Sequence, residues 1–204
     1  MTYVAHTETD DTTGLTLSII ADEFAEDSNP LQDDDAVRLV ILHRNRINPG
    51  EAYGLRTAED AEAFAAENAS PDSPWAVFPL FAYEHGNICY RPSEGGNPFN
   101  CPWDSGRVGI IALRRADFGQ ADPLEAARNV CRVYTDWCNG NVWGFAVTDA
   151  EGDTVSSVWG GYIGDYDGDA LTFGRSELAH HRDLRLAALA AEAEADRPDL
   201  YGTV

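Results

Sequence analysis

The chain has 204 residues, 44% of them hydrophobic, so it can bury one sizeable core. Its 35 acidic residues outnumber 14 basic ones, all arginine, and a net charge of −21 disfavours direct binding to nucleic-acid phosphates. No apolar run approaches the roughly 18 residues of a membrane span, and Met1 to Asp11 lacks the basic and apolar regions of a signal peptide, so we expect a cytoplasmic protein without a membrane segment.

The strong acidity has three competing explanations. A cytoplasm with high salt favours acidic, lysine-poor surfaces, and a GC-rich genome exchanges lysine for arginine. A DNA mimic uses carboxylates in place of phosphates. The acids lie in many short groups rather than in one phosphate-spaced stripe, which favours a solvated coat adapted to high salt.

The segment Trp75 to Arg115 is nearly neutral and holds many of the aromatic residues. The simpler interpretation is a core, from which charges are excluded. The alternative is a surface kept free of carboxylates because a partner or an anionic ligand docks there. The charged residues in it are Glu84, Glu94, Asp104, Arg91, Arg107, Arg114 and Arg115.

The first elements predicted along the chain are strands. We predict a polar arm over residues 1–13 and one α+β domain over residues 14–204. The alternation in Leu15 to Ile20 predicts a half-buried strand, and the apolar run Val37 to Leu42 predicts a buried one. The second strand leads into His43-Arg44-Asn45-Arg46, which can hold phosphate or carboxylate through arginine forks or form an ion-paired loop.

A helix and a hairpin follow. The helix is predicted from Thr57, which can cap it, to Asn68. The segments Ala76 to Tyr83 and Ile88 to Arg91 predict a hairpin around a tight turn at residues 84–87.

A polar turn before the clearest predicted strand is the centre of the sequence. The turn covers Asn100 to Gly106, and the strand covers Val108 to Leu113. Pro102 fixes φ and removes a backbone donor, while Gly106 is free to take a positive φ. Turns held by rigid strands often carry function, so this turn is a candidate site.

Trp103 and Asp104 allow two interpretations of the turn. In one they form a ligand corner, with Ser105 beside them and Arg107 as the ion-pair partner of Asp104. In the other, Asp104 caps backbone amides and Trp103 fills the core.

The second half of the chain predicts two helices and a hairpin. Asp122 opens a helix that ends at Asn139-Gly140. Val142 to Thr148 and Thr154 to Tyr162 form the hairpin. Ser176 is expected to cap a C-terminal helix whose apolar stripe is Leu186, Leu189, Ala190 and Ala193. We therefore predict an α+β fold, a single domain whose mainly antiparallel sheet is built from hairpins with about three packing helices.

The stretch Phe99-Asn100-Cys101-Pro102-Trp103-Asp104-Ser105-Gly106-Arg107-Val108-Gly109 is the most specific of four motifs. The others are Val40 to Arg44, Gly140 to Phe145 and Ser156 to Tyr162. In these motifs the chain resembles an uncharacterised protein family carried by phages, plasmids and integrative elements, although it departs from the family by its acidic loops and lack of lysine. The resemblance implies no known activity. It implies mobile-element biology, in which small proteins often inhibit or adapt host nucleic-acid machinery.

Two further patterns bear on chemistry. Cys101 with His85 and an aspartate can in principle form a nucleophile and a base, but no flanking motif supports this. Asp165, Asp167 and Asp169 resemble the start of a calcium loop without its distal glutamate, and a solvated loop is the simpler interpretation. The four cysteines match no zinc spacing, so we expect no cofactor.

Two main classes of function remain open. One is a non-catalytic protein that binds and modulates a host or element protein, such as nucleic-acid-processing machinery, in an anti-defence or regulatory role. The other is a small-molecule-binding domain or an enzyme with its site at the polar turn, and an acidic DNA mimic is a further alternative. Convergence of the candidate residues in one pocket favours a ligand site, and dispersal favours a binding protein. The candidates are His43, Arg44, His85, Trp103, Asp104, Ser105 and Arg107.

Overall fold

The structure is a computed structural model that describes residues 3–32 and 34–195. Within these residues the chain forms eight strands and four α-helices. The strands are β1 Val4–Thr9, β2 Thr16–Ala21, β3 Val37–Ile41, β4 Trp75–His85, β5 Asn87–Pro92, β6 Ser105–Arg114, β7 Val142–Thr148 and β8 Thr154–Ile163. The helices are α1 Ala58–Glu67, the short α2 Arg115–Phe118, α3 Pro123–Cys138 and α4 Asp169–Ala195.

The predicted α+β class is confirmed, because the strands form two antiparallel sheets and three of the helices are long. Both predicted hairpins are present as β4–β5 and β7–β8. The chain divides into two compact units, Glu26–Asn139 and the segments before and after it. None of the described helices is both long and apolar enough to cross a bilayer.

The unit Glu26–Asn139 is built on a sheet with the strand order β3-β6-β4-β5. Successive residues of a strand point to opposite faces, and both faces of this sheet are apolar. Leu39 and Ile111 pack with α3 on one face, whereas Val40 and Ile110 pack with α1 on the other. Both faces of the sheet are therefore packed against helices.

Both long helices of this unit begin as predicted. The side chain of Thr57 accepts a hydrogen bond from Asp60 N and that of Asp60 accepts one from Thr57 N, which satisfies two otherwise free amides. At α3 the side chain of Asp122 accepts from Leu124 N and Glu125 N.

One side of α3 is bonded to the free edge of β5. Asn139 Oδ1 accepts from Ile88 N at 2.9 Å, and Asn139 Nδ2 donates to Ile88 O at 2.8 Å. Two residues further along the strand, Tyr90 N donates to Thr135 Oγ1 at 3.0 Å. These bonds take the place of the neighbouring strand that an edge lacks.

The second unit has a sheet with the strand order β1-β2-β7-β8, and α4 covers one of its faces. Its core contains Leu17 and Ile19 from β2, Phe145 and Val147 from β7, and Leu171 from α4.

Three predictions for this unit differ from the structure. The predicted polar arm contains the strand β1, which is polar but pairs with β2 through its backbone. The C-terminal helix begins at Asp169, so Ser176 lies inside it rather than capping it. Its predicted apolar stripe, Leu186, Leu189, Ala190 and Ala193, is exposed. Residues 1, 2, 33 and 196–204 of the predicted arm and domain lie outside the described residues.

Candidate binding site

The predicted site residues lie near one end of the sheet in the unit Glu26–Asn139. Here β3 and β4 end and β6 begins. Leu42 N donates to Val108 O at 2.8 Å, and Glu84 N donates to Asp104 O at 2.9 Å. The pairing brings strand-end residues that are distant in sequence close to one another.

Asp104 is the centre of a small polar cluster. Its Oδ2 accepts a hydrogen bond from Cys101 Sγ at 3.3 Å and lies 3.6 Å from His85 Nδ1. The carboxylate therefore stands between the thiol and the imidazole. A cysteine nucleophile needs its base beside the sulfur, and in this arrangement the aspartate, not the histidine, receives the thiol hydrogen bond.

The loop before β6 is fixed by its own side chains. Ser105 Oγ donates to the carbonyl oxygen of Cys101, and Asn97 Nδ2 donates to Ser105 Oγ at 2.8 Å. Asn97 Oδ1 accepts from Phe99 N at 2.9 Å. Ser105 was predicted as a binding residue; in the structure its hydroxyl is used within the loop, where it joins Asn97 to the carbonyl group of Cys101.

Trp103 projects from this fixed loop into solvent. It is 91% exposed, so of the two interpretations of the turn the one in which Trp103 fills the core is wrong. The hydrogen bond between Cys101 and Asp104 spans the turn beneath it. The loop thus presents a large apolar side chain on a rigid base.

His43 lies in a separate cluster around Glu84. His43 Nδ1 is 3.6 Å from Glu84 Oε2, and this buried atom makes no hydrogen bond to any of the described residues. Arg46 donates to Glu84 Oε1, and this hydrogen bond raises the pKa of Arg46 above its usual value. Arg46 belongs to the polar cluster predicted after β3 and forms the ion pair that one interpretation of that cluster expected, whereas Glu84 was not predicted as part of the site. The sequence feature that could have pointed to Glu84 is its place as one of the few acids in the nearly neutral segment Trp75 to Arg115.

Two groups near Glu84 and Arg46 stay protonated at neutral pH. Burial raises the pKa of the Cys138 thiol to about 11 and raises that of the Tyr90 hydroxyl well above its usual value. The Tyr90 hydroxyl is buried and has no hydrogen-bond partner in the described part of the chain. Neither group is an activated nucleophile, because both are held in their neutral form.

Arg44 and Arg107 are exposed, and neither has a carboxylate within ion-pair distance among the described residues. The expected ion pair between Asp104 and Arg107 is therefore not formed. Arg107 instead lines a cleft of about 280 Å³ with His43 and Glu62. The seven predicted residues thus occupy one end of the sheet but do not converge in one pocket.

The calcium-like loop does not assemble a metal site. Among the described residues, no group of three histidine, cysteine or acidic side chains is placed to hold a metal ion. The backbone of this loop instead turns into α4, with Gly168 N donating to Asp165 O at 3.1 Å.

Comparisons with family models, with curated proteins and with solved structures found no match to this chain.

Proposed function

We propose that this chain is a non-catalytic protein of the mobile-element type that binds and modulates a host or element protein. Its contact surface is the loop Asn97–Arg107, and Trp103 is the anchor of that surface. The observation that carries the proposal is the 91% exposure of Trp103 on a loop fixed by side-chain hydrogen bonds.

An exposed tryptophan on a rigid loop suits protein recognition. Burying an aromatic side chain removes roughly 150 to 250 Å² of surface from water, and tryptophan is enriched among residues that dominate binding energy. Because the loop is already ordered, little conformational entropy is lost when a partner binds.

The electrostatics of the chain support an apolar anchor. In a cytoplasm of molar salt the Debye length is about 3 Å, so attraction between surface charges contributes little to binding. A buried indole contact persists in such salt. The arginines Arg44 and Arg107 add cationic contacts near the same end of the sheet, whereas most of the chain is acidic.

The proposal is tested by capture of the partner from the native host at native salt. Trp103→Ser should lose the captured protein while changing the free energy of unfolding by less than about 0.5 kcal/mol, as is usual for exposed positions. The matched control is Trp159→Ser in β8, where the tryptophan is 57% exposed. The control should capture as the wild type does, and equal capture by both variants contradicts the proposal.

The alternative, a ligand site or enzyme at the turn, is favoured by the cluster of Cys101, Asp104 and His85. Cys101→Ser separates the two functions, because serine still donates to Asp104 but is a poorer nucleophile. A binding protein keeps both partner capture and its biological effect in this variant. Loss of the biological effect with intact capture supports the enzyme instead.

A further inference from the structure

One side of α3, together with its C-cap, carries a stripe of four polar residues. Arg128, Arg132, Thr135 and Asn139 follow one another at spacings of four, three and four residues, which places them on one stripe of the helix. Thr135 and Asn139 accept hydrogen bonds from backbone amides at the edge of β5. The helix runs antiparallel to the strand. Arg132 therefore lies near the C-terminal end of β5, and Arg128 lies beyond that end.

The arginines of this stripe face a cleft instead of a strand edge. The strand β5 ends at Pro92, which has no N–H to bond. Arg128 and Arg132 line a cleft of about 500 Å³ whose opposite wall includes Arg91, Pro92 and Pro98. The volume lies within the roughly 300 to 1,000 Å³ range of small-molecule sites.

Three cations therefore meet in one cleft of a very acidic chain. Among the described residues, Arg91 and Arg132 have no carboxylate within ion-pair distance, and Arg128 donates to Glu125. Asp136 is the single carboxylate among the residues that line the cleft. With 35 acids available for 14 arginines, composition alone predicts ion pairs rather than a cluster of like charges.

Arg91 is held in place before any ligand arrives. Its guanidinium carbon lies 5.0 Å from the ring centre of Phe99, a cation–π contact. The Phe99 ring in turn lies 5.7 Å from that of Tyr83 on β4. One wall of the cleft is thus preorganised, which lowers the entropy lost on binding.

We propose that this cleft binds a small molecule that carries a phosphate group. A phosphate dianion offers at least three acceptor oxygens, so it can bridge several guanidinium forks, whereas a single carboxylate matches only one. The apolar surfaces of Pro92 and Pro98 contact the organic part of the ligand. Pro98 and Phe99 belong to the loop Asn97–Arg107, but Trp103 does not line this cleft. Trp103→Ser and Arg132→Gln therefore test the two proposals separately.

The test is calorimetric titration of the whole chain with phenyl phosphate, inorganic phosphate and benzoate. Phenyl phosphate should bind most tightly and benzoate most weakly. Arg91→Gln and Arg132→Gln should each weaken phenyl phosphate binding about 10-fold or more, because each removes charge-assisted hydrogen bonds. Arg91→Lys should give an intermediate loss, since it keeps the charge but not the fork.

The matched control is Arg185→Gln, which removes an exposed arginine of the other unit and should leave binding unchanged. Thermal melts check that each variant folds. Substitutions at these exposed positions should leave the melting temperature nearly unchanged. The proposal is overturned if benzoate binds as well as phenyl phosphate, if the wild type binds neither phosphate, or if the Arg91 and Arg132 variants bind like the control.

Discussion

At position 109 the absence of one methyl group decides whether two strands can pair. A Cβ on Gly109 would lie 1.9 Å from the carbonyl oxygen of Val40 in β3. Gly109→Ala should therefore cost about 3 kcal/mol or more of unfolding free energy, because rigid backbone has to move. Gly106→Ala is the control in the same strand, where the added Cβ meets nothing within 4 Å. Urea denaturation compares the two, and equal stability contradicts this account.

In the same region, the sequence identified several residues of the polar cluster but not the contacts that each of them makes. Cys101 and His85 were grouped with an unspecified aspartate, but Asp104 was expected to pair with Arg107 instead. Opposite Leu80 and Phe81, β6 pairs through Gly109 and Arg107, so Val108 is the extra residue of a bulge. A bulge reverses the faces of the residues beyond it, and no hydrophobic alternation reveals this.

At the scale of elements, the contact between α3 and β5 gives a quantitative prediction. Asn139→Ala leaves the N–H and carbonyl of Ile88 without their partners, so it should cost about 1 to 3 kcal/mol of unfolding free energy. Alanine suits the backbone at this position, where φ is −91°. Asn129→Ala, an exposed site on the same helix, should change stability by less than about 0.5 kcal/mol.

Hydrogen exchange at the Ile88 amide provides the second measurement for this variant. Exchange there should become faster in Asn139→Ala than in the Asn129→Ala control. Unchanged protection of Ile88 would show that the side chain of Asn139 does not hold the strand.

Elements with an apolar pattern were predictable, and polar ones were not. Both hairpins and the caps at Thr57 and Asp122 follow from alternation and capping residues. The strand β1 has no apolar alternation, because its stability comes from backbone pairing with β2. The start of α4 at Asp169 was missed because it follows directly from a glycine-rich acidic turn.

At the scale of the whole molecule, the net charge of −21 dominates. Repulsion among carboxylates destabilises a compact state, and salt screens it. We therefore expect the melting temperature to rise as KCl increases from about 0.1 to 3 M. A melting temperature that does not change with salt removes the high-salt explanation and leaves genome composition as the source of the missing lysine.

The order of strands could not be predicted at this scale. In the sheet of the unit Glu26–Asn139, β6 lies between β3 and β4 although it follows both in sequence. Apolar runs identify which segments are buried, but nothing in their pattern specifies which distant segment becomes the neighbour. For the same reason the convergence of Arg91 with the arginines of α3 was not visible in the sequence.

The bond between α3 and β5 also sets an order of events during synthesis. Thr135 and Asn139 are 45 and 51 residues later in the chain than the strand amides they bond. At roughly 5 to 20 residues per second, β5 emerges from the ribosome several seconds before the helix that closes its edge. During that interval the edge of the nascent hairpin has no neighbour and can add a strand from another chain, so this region is most prone to aggregation before α3 has formed.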